Sequence, residues 1–206
     1  MLFRSGVFCL RTYDRNGDGV LTVGEIKNVV SLDFDDKDIR SLDGIEYFTG
    51  LQSLYCNQSA GGNLVRLDVS RNVELRTLCC AGNKLEEIVV DGLRNLSRVD
   101  CAANNLEKLD LQNLPVLTFL LCLNKGACKL RSLDSFARNG LLYNLDLRNL
   151  PVAAVDLSRY PALKYVRMSG CDVEELDVSG LQYLESLVCD NSPVLKTVFF
   201  RNSAQY

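Results

Sequence analysis

The feature that most constrains this chain is its internal repetition. The pattern L-x-x-L-x-C occurs as LQSLYC, LRTLCC, LSRVDC and LTFLLC, ending at Cys56, Cys80, Cys101 and Cys122. It continues as LYNLDL, LKYVRM and LESLVC, ending at Leu147, Met168 and Cys189, so the intervals are 24, 21, 21, 25, 21 and 21 residues. Half a repeat away runs a second ladder: LVRLDVS, LEEIVVD, LEKLDLQ, LRSLDSF, VAAVDLS and VEELDVS, with last apolar positions Val69, Val90, Leu111, Leu157 and Val178 and Ser135 in the fourth. A coil of 21 residues is too short for a full helix plus a strand, so each turn is expected to hold two extended segments. One coil cannot bury its apolar face, whereas stacked coils share a continuous core. About seven coils exceed the minimum of about three. The expected fold is a β-rich repeat solenoid with little helix and a parallel sheet on one face, and LKTVFF is expected to add a closing strand to the first ladder.

The longer intervals share one cause. Eight residues separate Cys56 from Leu64 and Cys122 from Leu130, where five suffice elsewhere. The inserts NQSAGGN and LNKGACK therefore enter at the same point of the coil and bulge from one side, either as tolerated surface loops or as the margin of a binding surface.

Ahead of the repeats lies DRNGDGVLTVGE, which matches the twelve-residue EF-hand loop at each diagnostic position. Asp14, Asn16 and Asp18 offer side-chain oxygens, Gly19 permits the sharp turn and Val20 offers its carbonyl. Thr22 acts through water and Glu25 can bind bidentately. An all-oxygen set suits a hard cation, so Ca2+ is the expected ligand. No second such loop is present, which favours a structural ion over a paired sensor. Residues 1–50 thus read as an N-terminal cap with a short helix and the calcium loop, and 51–206 as the solenoid.

Residues flanking the second leucine of the first ladder point away from the core. One outward row reads Tyr55, Cys79, Asp100, Leu121, Asp146, Arg167, Val188 and Phe199. The row beside it reads Ser53, Thr77, Arg98, Phe119, Asn144, Tyr165, Ser186 and Thr197. Apolar and aromatic side chains in the open next to arginine match the make-up of binding hot spots, so Tyr55, Arg98, Phe119, Leu121, Tyr165 and Arg167 are the candidate ligand-binding residues. Asp100 and Asp146, two coils apart and hence ~9–10 Å between backbones, are the candidates if the chain hydrolyses glycans. On the second ladder Asp68, Asp110, Asp134, Asp156 and Asp177 form a row of like charges, expected to face solvent and to be relieved by turn hydrogen bonds.

The nine cysteines fit the repeat better than they fit a metal site. Five occupy a slot that Leu147 and Met168 fill elsewhere, so they read as small buried hydrophobes, and no Cys-x-x-Cys pair occurs. Cys171 stands where the turn-capping asparagine is expected, and Cys79 is expected to face outward as the most reactive thiol. Cys9 and Cys128 fall outside the pattern. Histidine is absent, which excludes Ser–His–Asp triads, Cys–His pairs and histidine-ligated zinc. A formal charge of −3 with no basic tract gives no ground for nucleic-acid binding. No apolar run reaches the ~18 residues of a membrane span, and MLFRSGVFCL does not read as a signal peptide.

The combination of DRNGDGVLTVGE, the stretch IRSLDGIEYFTGLQSLYC and repeats of the form LxxLxCxxNxLxxLDLSxN resembles the exported, internalin-like leucine-rich-repeat proteins of gut Bacteroidetes. The resemblance covers nearly the whole chain. It is strongest from Leu75 to Leu111 and weaker where Leu147 and Met168 replace the ladder cysteine. It implies a right-handed leucine-rich-repeat superhelix and a non-catalytic protein, secreted or at the cell surface, that binds a protein or glycan. A structural module of a larger assembly is the alternative. The stretch FFRNSAQY carries no obvious polar cap, so self-association through that end is expected.

Overall fold

In the computed structural model, which describes residues 11–124, 129–131 and 139–201, the repeat becomes a stack of coils. The main sheet is built from β1 (Ser31–Asp33), β2 (Ser53–Tyr55), β4 (Thr77–Cys79), β6 (Arg98–Asp100), β7 (Phe119–Leu121), β8 (Asn144–Asp146), β9 (Tyr165–Arg167) and β11 (Ser186–Val188), eight parallel strands in that order. Two smaller parallel pairs carry the second ladder: β3 (Arg66–Asp68) with β5 (Glu87–Val89), and β10 (Glu175–Asp177) with β12 (Thr197–Phe199). Helix is confined, among the described residues, to residues 11–13, to α1 (Val23–Ile26) and to two 3-10 turns at Ile45–Tyr47 and Leu157–Arg159.

Each main-sheet strand carries an apolar residue between two that face outward, and the period of two sends the middle side chain inward. Leu54, Leu78, Val99, Leu120, Leu145 and Val166 stack directly over one another in register and are wholly buried. Two residues further on, Cys56, Cys80, Cys101, Cys122, Leu147 and Met168 form a second buried column. The expected spine is therefore present. Burying each leucine contributes ~1.5–3 kcal/mol, and no coil covers its column without the next.

The chain leaves each strand through a recurring left-handed turn. Asp36, Gly82, Ala103, Asn149, Gly170 and Asn191 all have φ between 51° and 73°, and each lies two residues beyond a column residue. A β-carbon on Gly82 would stand 2.1 Å from the Gln58 carbonyl oxygen, so this position is closed by contact as well as by dihedral angle. Gln58 and Asn124, the equivalents in the two lengthened coils, lack the positive φ. In the first of these coils the extra residues take the place of the tight turn.

After the turn a polar side chain reaches back under the preceding coil. Asn83 and Asn104 donate to the Cys56 and Cys80 carbonyls at 2.9 and 3.0 Å. Cys171 does the same to Leu147 at 3.1 Å, as expected of a residue in the asparagine slot, and Ser192 to Met168 at 3.3 Å. These bonds satisfy carbonyls that the sheet leaves unpaired inside the core. On the second ladder Asp68, Asp110, Asp156 and Asp177 each accept the amide two residues ahead, at 2.8–3.1 Å. The row is thus solvent-facing and held by turn bonds, as expected; Asp134 and Ser135 lie outside the described residues.

One expectation needs correction. The LKTVFF strand does not extend the main sheet: β12 pairs with β10, with Val198 opposite Leu176. It lies only half a coil beyond Leu187, and so Thr197 and Phe199 leave the outward rows. The segment ahead of residue 51 also contributes a strand to the main sheet, β1 pairing with β2 in register, Leu32 beside Leu54.

Candidate binding face and calcium loop

The outward rows are real columns. Ser53, Thr77, Arg98, Phe119, Asn144, Tyr165 and Ser186 are neighbours across successive strands, as are Tyr55, Cys79, Asp100, Leu121, Asp146, Arg167 and Val188. The six candidate ligand-binding residues therefore share one face, and all are half-buried. The Arg98 guanidinium lies 3.7 Å from the Phe119 ring centre. Phe119 meets Tyr143 edge-on at 6.5 Å. At such distances a cation over a ring contributes ~0.5–1 kcal/mol at exposed sites, and here it also fixes the ring. Tyr165 donates its hydroxyl to Glu185 at 2.6 Å, and Lys164 donates to the other oxygen of the same carboxylate at 2.9 Å. Accepting these two bonds lowers the Glu185 pKa, the tyrosine bond first.

Three neighbours of the face were not singled out from sequence. Tyr143 sits just before β8, outside the alternating positions, and Glu185 has the same place before β11. Asn144 lies between Phe119 and Tyr165 with its side-chain oxygen buried and without a hydrogen-bond partner. Row position was the only available signal for Asn144; the other two gave none.

Asp100 and Asp146 differ in environment. Asp146 is 1% exposed and is gripped by Arg148, whose Nε and terminal nitrogen reach its carboxylate at 2.7–3.1 Å. Burial raises the Asp100 pKa, partly offset by a bond from the Ala102 amide. Cys79 corrects another expectation. It lies on the outward column but is 6% exposed, and burial raises its thiol pKa. The column thiols are buried too, Cys80 and Cys101 having pKa values well above the usual range: burial is the main cause for Cys80, a bond with Cys122 for Cys101. Cys9 and Cys128 lie outside the described residues.

In the loop ahead of α1 the acidic side chains are engaged by backbone amides. Asp14 accepts from Gly17 and Gly19 at 2.7 and 2.9 Å, and Asp18 from Val20 at 2.8 Å. Glu25 accepts from Arg15 and Thr22, both at 2.9 Å, and from the Thr22 hydroxyl at 2.8 Å. Its pKa falls to about 2, the Thr22 amide being the largest cause. Gly17 and Gly19 have φ of 72° and 78°, which curl the loop around Asp14. The donor set is all oxygen and the curl draws both ends of the loop onto Asp14 and Glu25, which fits a hard cation. Among the described residues no three acidic, cysteine or histidine side chains stand grouped as metal ligands.

A cleft of about 470 Å³ opens on the second-ladder side, between the Ile45–Tyr47 turn and β3, lined by Asp43, Glu46, Arg66 and Arg71. It includes none of the face residues. No helix among the described residues is long and apolar enough to cross a membrane.

No protein-family profile matches the chain, and no curated protein matches it. Solved structures do. The functional domain of InlJ from Listeria monocytogenes, described as including a cysteine ladder, is 27% identical over 82% of this chain and 46% of its own, with a TM-score of 0.50. An internalin, InlF, of the same organism is 20% identical over 95% of this chain and 61% of its own, with a TM-score of 0.69. Internalin C2 is 16% identical over 89% of this chain and 92% of its own, with a TM-score of 0.52. This chain thus spans about half to three-fifths of the first two. These structural neighbours are internalin-type leucine-rich-repeat proteins, and the architecture is the parallel-sheet solenoid of that class.

Proposed function

We propose that this chain is a non-catalytic binding protein whose main sheet recognises a protein ligand through Arg98, Phe119, Leu121, Tyr165 and Arg167, with Tyr55 at the margin. One observation carries the reading: Arg98, Phe119 and Tyr143 lock together on the half-buried face that also holds Leu121 and Tyr165. Rings held in place before contact lose little freedom on binding, which favours affinity. The calcium loop is a structural clamp: Asp14, Asn16, Asp18 and Glu25 would exchange bonds to loop amides for bonds to Ca2+, with the Val20 carbonyl and, through water, Thr22 completing the set. A place outside the cell rests on the resemblance of the repeats to exported proteins.

Hydrolysis at Asp100 and Asp146 is the weaker reading, because the Arg148 ion pair occupies Asp146 where a base would have to activate water. The test is a pull-down against host proteins, run beside a glycan array, with and without calcium. Phe119→Ala with Tyr165→Ala is expected to abolish protein capture. Undiminished capture would remove the face from the proposal, and binding confined to the array would reassign the ligand to glycans. Calorimetric titration with Ca2+ should release heat that Glu25→Ala lacks; equal heats would end the clamp.

A further inference from the structure

We infer that Asp100 is the acceptor for an arginine side chain of the protein ligand, taking from outside the guanidinium that Asp146 receives from its own chain. The inference rests on the proposed role of the sheet face and names the chemistry of one contact on it.

Asp100 and Asp146 hold the same place in their coils, with Leu121 between them on the outward column. Each accepts the amide two residues ahead at 3.2 Å, from Ala102 and from Arg148, so the two carboxylates are presented alike. They differ in what completes them. Arg148 turns its guanidinium back onto Asp146, with Nε 2.9 and 3.1 Å from the two oxygens and a terminal nitrogen at 2.7 Å. Asp100 has an alanine in that slot. No described residue bonds its second oxygen, which is not sealed from solvent. Arg98, on the same strand, is stacked over Phe119 and makes no ion pair with it.

The surroundings leave room for the missing group. Backbone bonds beyond the strands continue the register and set Asn57, Ala81, Ala102, Leu123 and Arg148 side by side. Two successive alanines thus make a low place on the face between half-buried Asn57 and Leu123, next to Asp100. Charge favours a cation there. Burial pushes the Asp100 carboxyl up, and the charges of Asp146 and Asp35 act in the same sense. The Ala102 amide and Arg98 offset only part of this. A guanidinium suits the place better than an ammonium, because its planar fork spans both oxygens of a carboxylate, as Arg148 does on Asp146. The apolar stem of an arginine can lie along Leu123 while its head meets the carboxylate.

Carbon-13 NMR of the side-chain carboxyls in the full chain tests the contact, with N-acetyl-arginine amide as the probe. The probe should move the Asp100 signal along a saturating curve, and Asp100→Asn should abolish the accompanying shifts at Ala102 and Leu123. Ala102→Arg should reproduce the Arg148 bond within the chain, lower the Asp100 pKa and block the probe. The inference is overturned by the absence of a saturable shift, by equal shifts in Asp100→Asn, or by an equal response to N-acetyl-lysine amide. An Asp100 pKa unmoved in folded Ala102→Arg would overturn it as well. In the host-protein pull-down Asp100→Asn should weaken capture at least about tenfold, because the arginine of the ligand is left unpaired at the interface. The two readings fail separately: undiminished capture by Phe119→Ala/Tyr165→Ala removes the face, whereas undiminished capture by Asp100→Asn removes only the arginine contact.

Discussion

Asn104 illustrates how one side chain can hold a coil together. Its amide nitrogen donates to the carbonyls of Cys80, Cys101 and Ala102 at 3.0–3.2 Å, and its oxygen accepts the Leu85 amide at 3.0 Å, all in the interior. Asn104→Ala strands buried backbone groups, and each unsatisfied group costs ~1–3 kcal/mol. Urea denaturation should therefore show a loss of at least ~2 kcal/mol, while Asn113→Ala, at an exposed position, should have little effect. Glu25 makes a pH prediction at the same scale. Its pKa is lowered from 4.5 to about 2, so its stabilising bonds are intact above pH 4.5 and lost as pH falls toward 2. Hydrogen exchange at Arg15 and Thr22 should accelerate through that window, and Glu25→Gln should abolish the acid step.

Among the elements, the recurring left-handed turn separates dihedral strain from steric contact. Gly82 and Gly92 have nearly equal φ, 73° and 76°, but a β-carbon on Gly92 meets nothing within 4 Å. Gly82→Ala should destabilise more than Gly92→Ala, and equal losses in thermal melts would assign the whole effect to the dihedral angle. Strand register was legible in the sequence because a one-residue slip would have turned every leucine outward. The assignment of β12 was not, since LKTVFF has the same apolar alternation on either ladder; only its distance from Leu176 and Leu187 separates them. Cys79 was misjudged for a related reason. Periodicity tells which way a side chain points, but not how far its surroundings close over it. The candidate face was legible as two rows of residues. The clasp of Tyr143 on Phe119 and of Glu185 on Tyr165 was not, because both partners lie outside the alternating positions.

For the whole molecule the consequence of stacking is that stability is shared between neighbours and not stored in one centre. A lesion in a middle coil should spread both ways. Leu120→Ala, at a wholly buried position, is expected to cost ~2–5 kcal/mol. Hydrogen exchange should quicken in β6, β7 and β8 before β2, as expected when each repeat rests only on its neighbours; uniform acceleration along the chain would indicate a single cooperative unit instead.

The lengthened coil at Ser59–Gly61 has a practical corollary. Its three residues are exposed, and the rungs on either side keep their alignment, Leu32 beside Leu54 and Leu54 beside Leu78. Foreign peptide spliced there would hang from the rim like a tag on a bookbinding, leaving the pages in order.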